Sequence, residues 1–427
     1  MSAIETPSER PSASRLAIAA VAVTTLLAPI MLAGTAAAAS PSGSRSDSVA
    51  AGRSAPGAGT VHSARKLTLP TATTSRVTSV KPDRTVSTVK VAAAAVPTQA
   101  WRILYGSTTA RGQATTVSGT VIVPTTPYSG TRPLVAYAPG TQGWGDDCAP
   151  SVSIAAGNFD EQFAVDNLLN QGWAVVVTDY PGLGTPGPHS YNVGIAEGYA
   201  VLDALRAALK LPAAGLSPNA PLGIEGYSQG GGAGGWAAQQ LSTYAPELHV
   251  AGIAAGGTPA NLQAVSININ GTIFFAFLAG TAIGFDAEYP SLNLAGSLTA
   301  AGKAAVADLS TLCQIPALLK YANKRVQDYT IGGTNPIETP PWQQALTANN
   351  LGRTRPTVPV LLYHGWLDEV IPWNVAATLH SQWCSAGANN QLQGYLAEHV
   401  LTQVTAQSNV VAWLGDRIAG KPVPKGC

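Results

Sequence analysis

Residues 221–235 read Pro-Leu-Gly-Ile-Glu-Gly-Tyr-Ser-Gln-Gly-Gly-Gly-Ala-Gly-Gly, and this stretch decides the fold class. The mostly apolar residues 221–225 predict a strand, and the residues after Ser228 predict the start of a helix. The Gly-x-Ser-x-Gly between them is a pattern that a chain with 44 glycines could also contain by chance. A preceding strand and a following helix are, however, the setting of a nucleophile elbow, which favours a reactive serine.

An elbow directs the Ser228 hydroxyl to the carboxyl edge of a sheet and leaves the Gln229 backbone N–H facing a reacting carbonyl. Such a serine works with an acid and a histidine that follow it in that order along the chain. Residues 363–368 read YHGWLD, and Asp368 follows a predicted strand. Asp368 is therefore the candidate acid, with its neighbour Glu369 as the alternative.

The base must be one of the histidines that follow the serine. Besides His249, these are His364 at the end of the acid-bearing strand, His380 in a predicted helix, and His399. His399 comes after a polar loop and before the last predicted helix, about 400–418. This position favours His399 as the base.

A second oxyanion donor is expected in the loop after the predicted strand 134–138. That loop, residues 139–143, reads PGTQG. Its glycines allow a tight turn that presents a backbone N–H, either that of Thr141 or that of Gln142. The alternative is a glycine-rich turn without a catalytic role.

Short apolar segments alternate with helical ones in the folded part of the chain, about 98–427. Strands are predicted at 116–123, 134–138, 174–178, 221–225, 250–255 and 358–363. This alternation is typical of an α/β protein with a mostly parallel sheet and helices on both faces. The stretch between Ala255 and Val358 is far longer than one crossover helix needs, so we expect an inserted cap, about 262–345, over the carboxyl ends of the strands.

The chain is poor in charge, and its charges nearly cancel. Of 427 residues 11% are charged, with 24 Lys and Arg against 23 Asp and Glu. This balance excludes a broad electrostatic surface for nucleic acid. No HExxH or calcium-loop pattern is present, so no metal is expected.

The first 97 residues differ from the rest. Arg10 and Arg15 precede an apolar run, residues 16–33, and small residues that fit cleavage after Ala38 or Ala39. Residues 1–39 therefore predict a secretory signal peptide and a secreted, extracellular protein rather than an uncleaved membrane anchor. Residues 40–97 hold no aromatic residue and carry a net charge of +6, from eight basic and two acidic residues. This composition predicts a disordered linker or pro-segment.

All four cysteines lie in the last 330 residues, at Cys148, Cys313, Cys384 and Cys427. An even number in an exported chain predicts two disulfides, for which three pairings are possible. The absence of any CxxC spacing argues against a metal site.

Several motifs together resemble the secretory lipase family, whose best-known members are the fungal lipase A enzymes. They are APGTQG at 138–143, DCAPS at 147–151, DYPG at 179–182, GYSQG at 226–230 and HGWLD at 364–368. The resemblance covers about 101–427 and implies an α/β-hydrolase fold with a cap inserted before the acid-bearing strand.

The same resemblance implies specific roles and pairings. Ser228 would be the nucleophile, Asp368 the acid and His399 the base, and the disulfides would be Cys148–Cys313 and Cys384–Cys427. Fungal members have an acidic side chain in the oxyanion loop, whereas this chain has Thr-Gln-Gly at 141–143.

The expected function is that of a secreted serine hydrolase, a triacylglycerol lipase that forms an acyl-enzyme and needs no cofactor. Lipid or another ester would be the substrate, with transient contact with a lipid interface and no metal or nucleic-acid partner. The alternatives are an esterase for short or aryl acyl groups, a peptidase, and a non-catalytic exported binding module on the same scaffold.

Overall fold

The computed structural model describes residues 54–70, 74–92 and 96–427. The predicted signal peptide, residues 1–39, lies outside the described residues. Of the predicted linker, residues 40–53 also lie outside them.

The strands within the described ranges are β1 (Val61–Leu67), β2 (Thr74–Val80), β3 (Val86–Ala92), β4 (Thr98–Thr108), β5 (Ala114–Pro124), β6 (Leu134–Ala138), β7 (Ala174–Thr178), β8 (Leu222–Tyr227), β9 (Val250–Gly256), β10 (Val360–Gly365) and β11 (Asn390–Tyr395). The α-helices there are α1 (Pro150–Ala156), α2 (Gln162–Leu169), α3 (Gly194–Leu209), α4 (Gln229–Tyr244), α5 (Leu262–Ile269), α6 (Phe275–Glu288), α7 (Leu294–Ser297), α8 (Ala300–Leu309), α9 (Gln314–Lys320), α10 (Pro340–Ala348), α11 (Trp373–Ser385) and α12 (His399–Ile418).

The main sheet has the strand order β1-β4-β5-β7-β6-β8-β9-β10-β11. The six strands from β7 to β11 in this order are parallel to one another, whereas β1, β4 and β5 pair antiparallel at one side. The prediction of a mostly parallel sheet with helices on both faces is confirmed.

The central strands are apolar without interruption because both of their faces are covered. In β7, Ala174 and Val176 belong to one hydrophobic core, which includes side chains of α3 and α4. Val175 and Val177 belong to the other, which includes side chains of α2 and α12. Successive side chains of a strand point to opposite faces, so such a strand has no polar side to show to solvent.

Six α-helices, α5–α10, lie between β9 and β10, where the cap was expected. We call residues 262–348 the helical insertion. The disulfide Cys148–Cys313 joins it to the segment after β6, and Gly143 pairs with Cys313 in an isolated antiparallel bridge. The insertion is thereby fastened beside the carboxyl ends of the central strands.

The second disulfide, Cys384–Cys427, joins the end of α11 to the C-terminal residue. The structure thus contains both pairings that the family resemblance implies. No helix in the described part of the chain is long and apolar enough to cross a membrane.

The prediction of disorder over 40–97 is wrong for residues 54–70 and 74–92. β1 pairs antiparallel with β4 from Leu67 opposite Ala100 to Val61 opposite Tyr105. β2 and β3 form a hairpin in which Val77 and Val80 are buried. The composition of this segment wrongly indicated disorder, because β1 needs few apolar side chains of its own when the edge of β4 supplies its hydrogen bonds.

The prediction of a polar loop before His399 is also partly wrong, because residues 390–395 form the strand β11. This strand lies parallel to β10 at the edge of the sheet, and most of its side chains are only half buried. An edge strand has one neighbour and tolerates polar residues, so its sequence lacks the apolar run of a central strand.

Candidate active site

Ser228 stands at the tight turn between β8 and α4, in the backbone conformation φ 59° and ψ −120°. A positive φ is unusual for a residue with a side chain and marks local strain. The flanking glycines make the turn possible, since a Cβ at Gly226 would overlap the Gly230 carbonyl and one at Gly230 would overlap that of Ala138. The predicted elbow geometry is present.

Three of the predicted site residues meet at the carboxyl edge of the sheet. His399 Nε2 lies 2.9 Å from Ser228 Oγ, and His399 Nδ1 lies 2.7 Å from Asp368 Oδ2. The backbone N–H groups of Val370 and Ile371 donate to Asp368 Oδ1 at 3.0 and 2.7 Å. With its proton on Nδ1, His399 donates to the carboxylate and accepts the serine proton on Nε2.

The pKa values of the acid and the base shift in opposite directions. Burial alone would raise the pKa of Asp368, but the His399 charge and hydrogen bond and the nearby His364 outweigh it and lower the pKa. Burial alone would lower the pKa of His399, but Asp368, Glu369 and Glu398 outweigh it and raise the pKa above 6.5. Asp368 is thus ionised at neutral pH, and His399 loses its ability to accept a proton as the pH falls through its raised pKa.

The alternative acid and bases contact other partners. Glu369 Oε2 accepts the backbone N–H of His399 at 3.1 Å rather than an imidazole nitrogen. His364 is buried behind the acid, with Nε2 2.7 Å from the Ile371 carbonyl and 3.3 Å from Asp368 Oδ2.

The two remaining histidines lie elsewhere. His380 Nδ1 is 2.6 Å from Asn390 Oδ1, close to the Cys384 sulfur. His249 lies just before the start of β9, which is the end of that strand opposite to the Ser228 edge.

Gln229 is the first residue of α4, and the N–H of such a residue has no partner inside its own helix. Its side chain is buried, and Nε2 donates to Glu197 Oε1 at 2.6 Å and lies 3.1 Å from His189 Nε2. Burial raises the pKa of Glu197 to about 8 and lowers that of His189 to about 4. Two buried polar side chains, those of Glu197 and His189, thus contact the side chain of the residue whose backbone N–H is the candidate oxyanion donor.

We call residues 139–143 the oxyanion loop. Thr141 is buried, and its Oγ1 is 2.7 Å from the Tyr191 hydroxyl. The Gln142 carbonyl accepts the Gln314 N–H of the insertion at 2.9 Å. That the backbone N–H of Thr141 or Gln142 is the second oxyanion donor stays a prediction.

Sequence reasoning missed the buried polar groups around these donors, namely Glu161, His189, Tyr191 and Glu197. One signal was available for Glu197, because the predicted helix around it is apolar on most sides and a glutamate in such a helix is buried. For Glu161 and His189 the sequence gives no comparable sign.

Ser228 opens into a narrow cavity. Its wall is mostly apolar and comes largely from the insertion, including Leu262, Val265, Ile269, Phe277 and Leu278. A second cavity lies inside the insertion and is lined almost wholly by apolar side chains, among them Phe275, Leu298, Val306 and Trp342. Leu278 lines both cavities, so the second cavity is adjacent to the one that contains Ser228.

No group of three or more His, Cys, Asp or Glu side chains that could hold a metal ion occurs in the described ranges.

The parallel sheet, the elbow and the Ser-His-Asp hydrogen bonds define an α/β-hydrolase. A profile of the secretory lipase family matches residues 153–426. A secreted triacylglycerol lipase of Malassezia globosa is 31% identical over 347 residues, which are 77% of this chain and 75% of the relative. A protein of Mycobacterium tuberculosis, named as a probable inactive lipase, is 30% identical over 77% of this chain and 75% of its own length.

Among solved structures, Candida antarctica lipase A in its closed state superimposes with a TM-score of 0.73. It is 23% identical, and the match covers 86% of this chain and 84% of that one, a likeness that shows the fold. The chain belongs to the secretory lipase family and is a secreted ester hydrolase of the lipase class. The family and fold predicted from the sequence motifs are confirmed.

Proposed function

We propose that the protein hydrolyses lipid esters through an acyl-enzyme on Ser228. His399 Nε2 takes the serine proton as Oγ attacks the ester carbonyl, and it then gives the proton to the leaving alkoxide. Water, deprotonated by the same nitrogen, attacks the acyl-enzyme and releases the carboxylic acid and the serine. The observation that carries this proposal is the pair of hydrogen bonds from one buried imidazole to Ser228 Oγ and Asp368 Oδ2, at 2.9 and 2.7 Å.

The developing oxyanion needs hydrogen-bond donors that are already in place. The Gln229 N–H at the start of α4 supplies one, and the positive end of the helix dipole adds to it. Thr141 or Gln142 of the oxyanion loop supplies the other.

The cavities support an uncharged alkyl acyl group. Removing a charged acyl group from water to lie against side chains such as Leu278 and Phe277 would cost free energy, whereas burying a methylene chain there is favourable. The secreted triacylglycerol lipase among the relatives agrees with this choice of substrate.

Exposed apolar side chains beside the acid and the base support contact with a lipid surface. Trp366, Leu367 and Leu396 are 54%, 61% and 76% exposed, and we call them the loop patch. Hydrogen bonds from the Trp366 and Leu367 N–H groups to the carbonyls of Tyr395 and Ala397 hold the two loops side by side. An exposed apolar cluster beside the catalytic residues is the kind of surface that partitions into a lipid interface.

The enzyme is expected to cleave both long-chain p-nitrophenyl esters and an emulsified triglyceride. Replacing two members of the loop patch, Leu367→Ser with Leu396→Ser, should lower the rate on the emulsion about tenfold or more because apolar contact area with the lipid is lost. The rate on dissolved p-nitrophenyl butyrate should stay within about twofold. Parallel assays of the emulsion and the dissolved ester measure both effects.

A matched control changes two similarly apolar exposed residues outside the catalytic loops, Val86→Ser with Val89→Ser, which are 47% and 43% exposed on β3. This control should retain the emulsion rate. Equal losses of the emulsion rate in both double variants would contradict the proposal that the loop patch contacts the lipid surface. Wild-type activity limited to acetate and butyrate would make the protein a short-chain esterase with the same catalytic residues.

A fluorophosphonate probe tests whether the serine is reactive or the protein is a binding module, a choice made pertinent by the relative named as inactive. Because the probe reacts with a serine activated by a neighbouring base, we expect one label per folded molecule, on Ser228. Mass spectrometry of the labelled peptide locates it. Native protein that takes up no label would favour the binding module.

A further inference from the structure

We propose that Glu161 is a positioning residue that holds the oxyanion loop in the shape the reaction requires. This inference rests on the proposed function, because it assigns a role in the same ester hydrolysis. Glu161 stands just before α2, outside every motif described above, and its side chain is buried.

The contact falls on the backbone of the loop itself. Both carboxylate oxygens of Glu161 lie 3.0 Å from the Gly140 nitrogen. A Cβ at Gly140 would come within 2.5 Å of Glu161 Oε1, so only glycine at this position lets the carboxylate approach so closely. Thr141 and Gln142 follow directly along the chain, and any shift of Gly140 therefore moves both candidate oxyanion donors.

The same carboxylate also reaches the helix that carries the base. The Tyr137 hydroxyl, at the end of β6, donates to Glu161 Oε2 at 2.8 Å and accepts from Gln403 Nε2 at 2.9 Å. Gln403 lies one turn after His399 on α12. Glu161 thus connects the oxyanion loop to the helix of the base through three successive hydrogen bonds, from Gly140 to Glu161, from Tyr137 to Glu161 and from Gln403 to Tyr137.

The charge state of Glu161 bears on the strength of this link. Burial raises the pKa of Glu161 to about 7, although the bonds from Tyr137 and Gly140 pull it down. The titratable groups that interact with it are Asp160, Tyr137, Tyr180, Glu225 and Tyr363. A carboxylate accepts an N–H more strongly than a neutral acid does, so ionisation tightens the hold on Gly140.

The test replaces the carboxylate by its amide in the full-length protein. In Glu161→Gln one of the two acceptor oxygens becomes an NH₂ donor. In either orientation of the amide, this NH₂ group opposes another donor, the Gly140 N–H or the Tyr137 O–H. We expect kcat on p-nitrophenyl butyrate to fall about 10- to 100-fold, with KM changed by less than about threefold, since small misplacements of an oxyanion donor have effects of this size. The rate of fluorophosphonate labelling should fall in parallel.

Glu225→Gln is the matched control. Glu225 lies opposite Tyr137 on β8, burial raises its pKa to about 8, and its Oε2 has no hydrogen-bond partner within the described residues. Losing this second buried carboxyl should leave kcat within about twofold. A merely structural role for Glu161 would instead lower the melting temperature of Glu161→Gln and leave the kcat of the folded fraction intact.

Glu161→Asp covers the case in which the amide variant does not fold. It keeps the charge but shortens the side chain by one methylene, so the bond to Gly140 is lost and the same fall in kcat is expected. Wild-type kcat in either folded variant would overturn the proposal. A wild-type protein without ester hydrolysis or labelling would instead contradict the proposed function, so the two failures are distinguishable.

Discussion

Ser228→Ala is expected to lower kcat for p-nitrophenyl butyrate by about four to six orders of magnitude, the range found when a nucleophilic serine is removed from an enzyme with this set of groups. The change removes only Oγ, the atom 2.9 Å from His399 Nε2. Alanine and serine both carry a Cβ and face the same strain at φ 59°, so the fold should be retained. Steady-state rates together with thermal melting measure the two properties.

A second serine of the same cavity provides the control. The Ser266 hydroxyl donates to the Leu262 carbonyl of its own helix at 2.6 Å, and no histidine is among the described residues that line this cavity. Ser266→Ala should therefore keep kcat within about fivefold, because it loses only a local bond. Near-wild-type turnover by Ser228→Ala would eliminate the acyl-enzyme on this residue.

Asp368→Asn is expected to lower kcat by about three to four orders of magnitude, because an amide no longer fixes the tautomer of His399 or stabilises its charged form. The pH dependence should also change. In the wild type, kcat/KM falls as the pH drops through the His399 pKa, which Asp368 helps to raise above 6.5. Without the carboxylate charge that pKa decreases, so the residual activity should decline at a lower pH than in the wild type.

Glu369→Gln separates the two neighbouring carboxyls. Glu369 accepts the backbone N–H of His399 rather than an imidazole N–H, so its amide should cost less than about tenfold in kcat and shift the acidic limb in the same direction but by less. Rate–pH profiles of the two variants give the comparison. A larger loss in Glu369→Gln than in Asp368→Asn would exchange their roles.

The parts of this site that the sequence predicted depend on short-range patterns. The elbow is visible because glycines are required at Gly226 and Gly230, where β8, α4 and the Ala138 carbonyl come close together. Asp368 and His399 were predicted because Asp368 follows a strand and His399 precedes the last helix, in the chain order that such a serine requires. β7 was placed correctly because burial on both faces leaves only apolar residues in it.

The parts that the sequence did not predict depend on long-range contacts. Glu161 accepts a hydrogen bond from the backbone N–H of Gly140, 21 positions away along the chain. The residues next to such a glutamate in the sequence do not distinguish it from a glutamate on the surface. β1 and β11 lie at the two ends of the sheet, where one face or one side is open and polar residues are tolerated. Their existence follows from the neighbouring strand rather than from their own composition.

The pairing of β1 with β4 has a consequence for proteolytic maturation. Ser54 Oγ donates to the Tyr244 carbonyl at 3.0 Å, and Arg206 donates to Ser54 Oγ at 3.2 Å, so the segment just before β1 also contacts the body of the protein. A protease that trimmed the exported chain back to Thr98 would strip β1 and leave β4 with a row of unpaired N–H and C=O groups. Such an edge pairs readily with another molecule, and a chain shortened in this way is expected to aggregate.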